Sequence, residues 1–407
     1  MNPIASLAPA IKDLATTQKS SFATTQAVWR FLNNENVSFH QLNQPIEKLV
    51  FDQVTQLKHK YILVAHDWSQ LQYVKHDNKI NRIKRTHAND LSYELQSSLL
   101  VDAEQGLPIA PIAQTLSDST GRYSTFDDQF ADPETHLNAL MQQIDHIEAM
   151  PIEQKIVHII DREGDSVARY REFEQKGYQW LIRGKESNTV EYLGQTLKLK
   201  DVTDQVATHE IKCIEYKGQK VMLHVGEADI RITRSAKPKQ RNTEGKRVAP
   251  QVGEPVDVRL VVAQVKDATG KVLSRWSLLS NVAKEISCTE LSTWYYWRWS
   301  IESYFKLLKQ AGHDVESWLQ TTPQAILRKL LVANMACVLT WRIQRCNDEQ
   351  TTRVRAVLTR LSGRQQKLGK RESAPSILAG LSILLNTLKL LESYSVDELK
   401  EMAKIAL

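Results

Sequence analysis

The sequence predicts an α/β fold: a mixed sheet covered by helices, interrupted by a β-rich insertion and flanked by N- and C-terminal helical regions. Three observations carry this. Three apolar, β-rich runs follow one another between residues 61 and 116, helix and strand then alternate to residue 182, and from residue 189 the apolar period changes to two. At 407 residues the chain is too long for one ordinary core, so two or three domains are expected.

Residues 1–50 are expected to form a small N-terminal helical region, in which Thr25 to Leu42 (TQAVWRFLNNENVSFHQL) shows short helical units around a polar turn at Asn33 to Asn36. Residues 51–185 form the first part of the core. Tyr61 to Ala65 (YILVA), Tyr93 to Val101 (YELQSSLLV) and Leu107 to Leu116 (LPIAPIAQTL) read as strands separated by polar or glycine-bearing turns. His136 to Ala149 has helical spacing and Lys155 to Ile160 (KIVHII) reads as a buried strand. A helix begins near Asp165, and Tyr178 to Ile182 (YQWLI) is a further strand. Residues 186–280 form the β-rich insertion, with pieces such as Lys220 to His224 and Val256 to Val265. Residues 281–320 return to the core with a helix carrying Glu302, and 321–407 form the C-terminal helical region.

The net charge of +6 is modest, but the basic residues cluster. Seven Lys or Arg against one Glu fall between Arg231 and Gln251, and seven more between Arg353 and Arg371. Such runs suit a phosphate backbone better than a small anion; the plainer reading is a solvated loop and a solvated helix face. Cys213, Cys288, Cys337 and Cys346 show neither C-x-x-C pairing nor His at zinc-ligand spacing, which points to a reduced, cytoplasmic protein without a structural metal. The N-terminus has no charged segment followed by an apolar stretch. The most apolar tract, Ala374 to Leu391, is interrupted by Ser, Asn and Lys, so neither secretion nor a membrane span is expected.

Two apolar strands end alike: YILVAH runs into Asp67, and KIVHII into Asp161. Open α/β sheets place ligand-binding groups at the carboxyl ends of strands, so two such Asp can share a site. Capping a following helix is the commoner role of a lone strand-end Asp. Against it, Asp165-Ser166 is better placed to cap the helix VARYREF, and WSQLQY after Asp67 looks extended.

The segment Trp294 to Gln310 (WYYWRWSIESYFKLLKQ) sets one carboxylate, Glu302, among aromatics and cations. On a regular helix, turning roughly 100° per residue, Tyr295, Arg298, Glu302 and Lys309 share a stripe about 60° wide. Trp294, Trp297, Ile301, Tyr304, Phe305 and Leu308 fill the neighbouring arc as a core face. Arg298 and Glu302 alone could be an ordinary i,i+4 surface pair, which leaves Lys309 unexplained. Three carboxylates in one pocket repel, and divalent cations relieve the repulsion. Hard oxygen donors favour Mg²⁺ or Mn²⁺ over zinc, and two such ions can activate a water or hydroxyl and stabilise the leaving oxygen of a phosphodiester.

The spacing Tyr295, Arg298, Glu302, Lys309, preceded by HDWSQLQY and IIDREGDS, resembles the Tyr-Arg-Glu-Lys signature of bacterial insertion-sequence transposases of the IS-four group, in particular the transposon-five type. The resemblance runs from about Ala27 to Trp318. It implies an RNase H-like core whose acidic triad is Asp67, Asp161 and Glu302, interrupted by a β insertion. It also implies Mg²⁺-dependent cut-and-paste chemistry: nicking, hairpin formation, hairpin opening and strand transfer. The implied partners are inverted-repeat transposon-end DNA and target DNA, engaged by a homodimer, in the cytoplasm at the nucleoid. By the same likeness, Tyr295, Arg298 and Lys309 contact phosphates near the cleaved end, as do Arg183 and Lys185. Trp276 matches the aromatic that stacks on a flipped base; an ordinary strand Trp is its plain alternative.

Relative to the transposon-five type, the segment before Asp67 is shorter and its likeness to an end-binding domain is limited to AVWRFLNNENVS. Weak sequence-specific recognition of ends is therefore expected, and dimerisation is assigned to the C-terminal helices. Two rival readings stay open. One is a non-catalytic inhibitor that dimerises with a full-length enzyme; the other is a host nuclease using the same core.

Overall fold

A computed structural model describes residues 21–84, 90–216, 218–237, 248–365, 369 and 371–406. Residues 238–247 of the first basic run, and 366–368 and 370 of the second, lie outside them.

Among the described residues the sheet has 13 strands, in the order β5-β4-β3-β1-β6-β7-β13-β12-β11-β8-β9, with β2 on β3 and β10 on β11. The core strands are β1 (Tyr61–Gln72), β2 (Ile83–Lys84), β3 (Leu91–Asp102), β4 (Pro108–Ser117), β5 (Arg122–Ser124), β6 (Lys155–Ile160) and β7 (Gln179–Arg183). The insertion supplies β8 (Thr189–Tyr192), β9 (Gln195–Lys198), β10 (His209–Tyr216), β11 (Gln219–Ile232), β12 (Val256–Lys266) and β13 (Val272–Ser280). β1, β3, β4 and β5 are antiparallel neighbours, whereas β1, β6 and β7 run parallel. This is the mixed, RNase H-like sheet expected from the sequence. β13 then pairs antiparallel with β7, setting Leu279 opposite Ile182, so the insertion continues the core sheet.

Helices α1 (Ser21–Leu32) and α2 (Phe39–Val54) precede the sheet. α2 starts where the Ser38 hydroxyl accepts from the Gln41 N–H, and it buries Phe39, Ile46, Val50 and Val54. α3 (His136–Glu148), α4 (Val167–Lys176) and α5 (Leu199–Gln205) follow. α3 and α4 bury Leu140, Ile144, Tyr170 and Phe173 with Trp180, Ile182, Val202 and Leu260 in one apolar cluster. A second cluster joins α2, most core strands and the later helices α6 (Cys288–Trp297), α7 (Trp299–Lys306) and α8 (Pro323–Arg345). The chain closes with α9 (Glu349–Leu361), α10 (Ala374–Leu391) and α11 (Val396–Ala406). Despite its Ser, Asn and Lys, α10 is long and apolar enough to cross a membrane by length and composition; here it packs Ile377 and Leu378 into the protein.

Three local expectations are corrected. The first strand does not stop at Ala65; it continues to Gln72 because β3 pairs with it as far as Gln72 opposite Ser92. Ser166 is the N-cap of α4 without a side-chain hydrogen bond, since the Asp165 carboxylate is turned to other donors. The single helix read through residues 294 to 310 breaks at Arg298 and ends in a π-turn over Leu307–Ala311.

Candidate active site

β1 and β6 pair in parallel up to His66 opposite Ile160. The next residue on each chain is Asp67 and Asp161, so two carboxylates leave adjacent strands at the same level. Asp67 accepts its neighbour Trp68 N–H at 2.9 Å. Asp161 accepts Arg162 N–H at 2.6 Å and so caps a short 3₁₀ turn, Arg162–Gly164.

The third carboxylate arrives on α7, held by the turn after β3. Trp294 Nε1 donates to the Ala103 carbonyl at 3.2 Å, and Ser300 Oγ donates to the Gly106 carbonyl at 3.1 Å. Between them Trp297 lies against Gly106, whose φ is +69° and whose missing side chain leaves space for the indole. These contacts, three residues apart, fasten the joint between α6 and α7 at Arg298.

Arg298 bridges two of the acids. Its Nη1 donates to Asp67 Oδ2 at 2.8 Å and its Nη2 to Glu302 Oε1 at 2.9 Å. The Tyr295 hydroxyl donates to Asp161 Oδ1 at 3.0 Å. Arg298 is only 6% exposed, and its Nε is buried without a hydrogen-bond partner. Burial raises the Asp67 and Glu302 carboxyls above their ordinary values, Arg298 offsetting only part of this. Asp161 goes the other way. Burial pushes it up, but the Arg162 N–H, Arg298, Tyr295 and Arg183 together outweigh that and hold it low.

Three carboxylates supply only hard oxygen donors and more negative charge than one guanidinium neutralises, which suits a divalent cation of the Mg²⁺ or Mn²⁺ type. Among the described residues no three Asp, Glu, His or Cys side chains are grouped closely enough to hold an ion. The span between Asp67 and Glu302 is taken by Arg298.

Lys309 is not beside the carboxylates. It donates to the Gln70 carbonyl, three residues beyond Asp67, and pairs with Glu316 at 3.2 Å. Arg183 ends β7 near enough for its charge to bear on Asp161 and Tyr295. Lys185 follows, its N–H given to Asp165 at 2.5 Å. Half-buried Trp276 stands on β13 opposite Ala263, edge-on to Tyr216 with ring centroids 6.4 Å apart.

Sequence reasoning overlooked two features. Asp165 anchors the loop after β7, taking Asn188 Nδ2 at 2.8 Å and Arg234 Nη2 at 2.9 Å besides the Lys185 N–H; the second Asp of DREGDS, read from the sequence only as a helix cap, was the available signal. Buried His66 and His158 join at 2.9 Å on strands β1 and β6, linked onward to Ser98 and Glu148. The signal was a His in each of two otherwise apolar runs. Burial, then His158, drives the His66 pKa well below its ordinary value.

The family model of the transposase DDE domain matches residues 58–339, a span that includes Asp67, Asp161 and Glu302. A comparison with curated proteins gives no match. The match covers more than two thirds of the 407 residues and coincides with the mixed sheet and the helices that bring the three acids together; the chain belongs to the transposase DDE domain family.

Proposed function

We propose that this transposase mobilises an insertion sequence of the IS-four group by cut-and-paste, through nicking, hairpin formation, hairpin opening and strand transfer. Asp67, Asp161 and Glu302 would hold Mg²⁺ or Mn²⁺. Such ions activate a water or hydroxyl and stabilise the leaving oxygen of the phosphodiester. Tyr295 orients Asp161, and Arg298, Arg183, Lys185 and Lys309 receive phosphates, while Trp276 stacks on a displaced base. The N-terminal region, residues 1–50, contacts inverted-repeat ends, and the protein works on ends and target DNA as a homodimer at the nucleoid. The C-terminal region, 321–407, joins the two copies. Supporting that assignment, Val354 and Val357 on α9, Leu388 on α10, and Met402 and Ile405 on α11 are exposed.

The observation that carries the reading is the bridge from Arg298 to Asp67 and Glu302, with Tyr295 on Asp161, which gathers acids from three distant segments. Asp67→Asn, Asp161→Asn and Glu302→Gln are each expected to abolish nicking of an end-bearing duplex in Mg²⁺ while duplex binding at low salt persists. Near wild-type nicking by any one of them removes that residue from the triad.

A further inference from the structure

Arg298 is placed as a cation between carboxylates and not as a surface charge. Its two terminal nitrogens sit on Asp67 and Glu302 at 2.8 and 2.9 Å, and the residue is almost wholly buried. A guanidinium is planar, permanently charged and forked, so it can span two carboxylates where an ammonium meets one. Its third nitrogen, Nε, is buried with no partner, a desolvation cost of the kind that accompanies functional strain. A second resting place lies beside it. The guanidinium carbon is 6.0 Å from the ring of Trp299, the next residue, which is 53% exposed and offers a face for the cation outside the carboxylates.

A second cation meets Arg298 as a competitor at Asp67 Oδ2 and Glu302 Oε1. A divalent ion bound between Asp67 and Glu302 would stand next to the guanidinium with like charge and would compete with it for the span between the two carboxylates. A phosphodiester brought to the same carboxylates for cleavage meets Arg298 as the nearest cation, and a phosphate is as good a partner for its fork as a carboxylate.

We propose that Arg298 is an internal counter-ion that closes the carboxylate site in the free protein: it competes with the divalent cation for Asp67 and Glu302, and an arriving DNA phosphate draws it away. This rests on the metal-binding reading given under the proposed function. Linkage then requires reciprocity, so duplex DNA tightens metal binding by the factor by which metal tightens DNA binding.

The test is Mn²⁺ binding to the full chain, read from loss of the free-ion signal in electron paramagnetic resonance, with and without a DNA duplex. Asp67→Asn with the same duplex serves as the blank for ions held by DNA. Without DNA, Arg298→Gln is expected to bind Mn²⁺ about tenfold more tightly than wild type, within the usual range of site-to-site coupling. Adding duplex should tighten wild type by a similar factor and leave Arg298→Gln nearly unchanged. Arg298→Lys keeps the charge but cannot span both acids, so its affinity should fall between the two. If Arg298→Gln does not fold, Arg298→Lys decides: tighter than wild type supports the proposal, and equal or weaker binding overturns it. Arg298→Gln binding no more tightly than wild type, with Asp67→Asn still abolishing binding, overturns the counter-ion role and leaves the metal site standing. No Asp67-dependent Mn²⁺ binding by wild type, with or without DNA, overturns both.

Discussion

His313 shows what a single buried side chain does to the pH range of the protein. It is almost fully buried, with Cys337 Sγ 3.6 Å from its Nε2 and its carbonyl taken by Trp318 Nε1 at 2.9 Å. Burial, helped by the nearby Lys329 charge, pushes its pKa down from 6.5 to about 4. The unfolded chain therefore takes up a proton near pH 6.5 that the folded chain refuses until about pH 4. Stability from this group is complete above pH 6.5 and falls as the pH drops toward 4, by roughly 2 kcal/mol between pH 7 and pH 5. Thermal melts should show a smaller loss over that interval for His313→Gln than for wild type; equal losses would mean that His313 titrates normally. Nothing in the stretch AGHDVES announces a buried histidine, because its surroundings come from elsewhere in the chain, above all Cys337 and Lys329 on α8. The acids are different. Asp67 and Asp161 follow apolar strands, and Glu302 stands in an unusual aromatic and basic context, so local sequence marks all three before any packing is known.

At the scale of elements, the helix that bears Glu302 was only half legible. Its residues read as helical, but the break at Arg298 is set by a neighbour, the turn from Asp102 to Leu107, which holds Trp294 and Ser300 on either side of it, and the π-turn follows at 307–311. Gly106 is the sensitive point of that turn. It has φ +69°, and a Cβ there would lie 2.3 Å from the Trp297 ring. Gly177 has nearly the same backbone, φ +71°, with nothing within 4 Å of an added Cβ. Gly177→Ala should cost about 1 kcal/mol for the backbone alone. Gly106→Ala should cost a further 1 to 3 kcal/mol, roughly, from overpacking, and should also depress nicking as the joint at Arg298 shifts. Chemical denaturation of both variants, with a nicking assay, compares them; equal losses and unchanged nicking would mean that Trp297 moves aside freely and the turn does not set the helix.

For the molecule as a whole, the change of apolar period near residue 189 was readable, whereas the joining of insertion and core was not. Strand pairing nearly a hundred residues apart leaves no local mark, and only the fold shows β13 hydrogen-bonded to β7, with Leu278 opposite Arg183 and Ser280 opposite Leu181. One consequence can be measured. Replacing residues 186–280 by a short Gly-Ser linker would uncover the β7 edge and its apolar flank, an invitation to pair with another chain. Light scattering should then report association that grows with concentration beyond that of the full chain, and a product no larger than the full chain's own assembly, with a cooperative melt, would argue that β13 is dispensable cover. The same continuity makes the sheet a caliper. Asp161 and Trp276 are two strand spacings apart, about 4.8 Å each, and offset by some two residues along the strands, giving a backbone span of about 12 Å. Every rung between them is a hydrogen-bonded strand with no flexible tether. On the proposed function, with the scissile phosphate at Asp161 and a displaced base on Trp276, the sheet holds the two contacts at that fixed gauge.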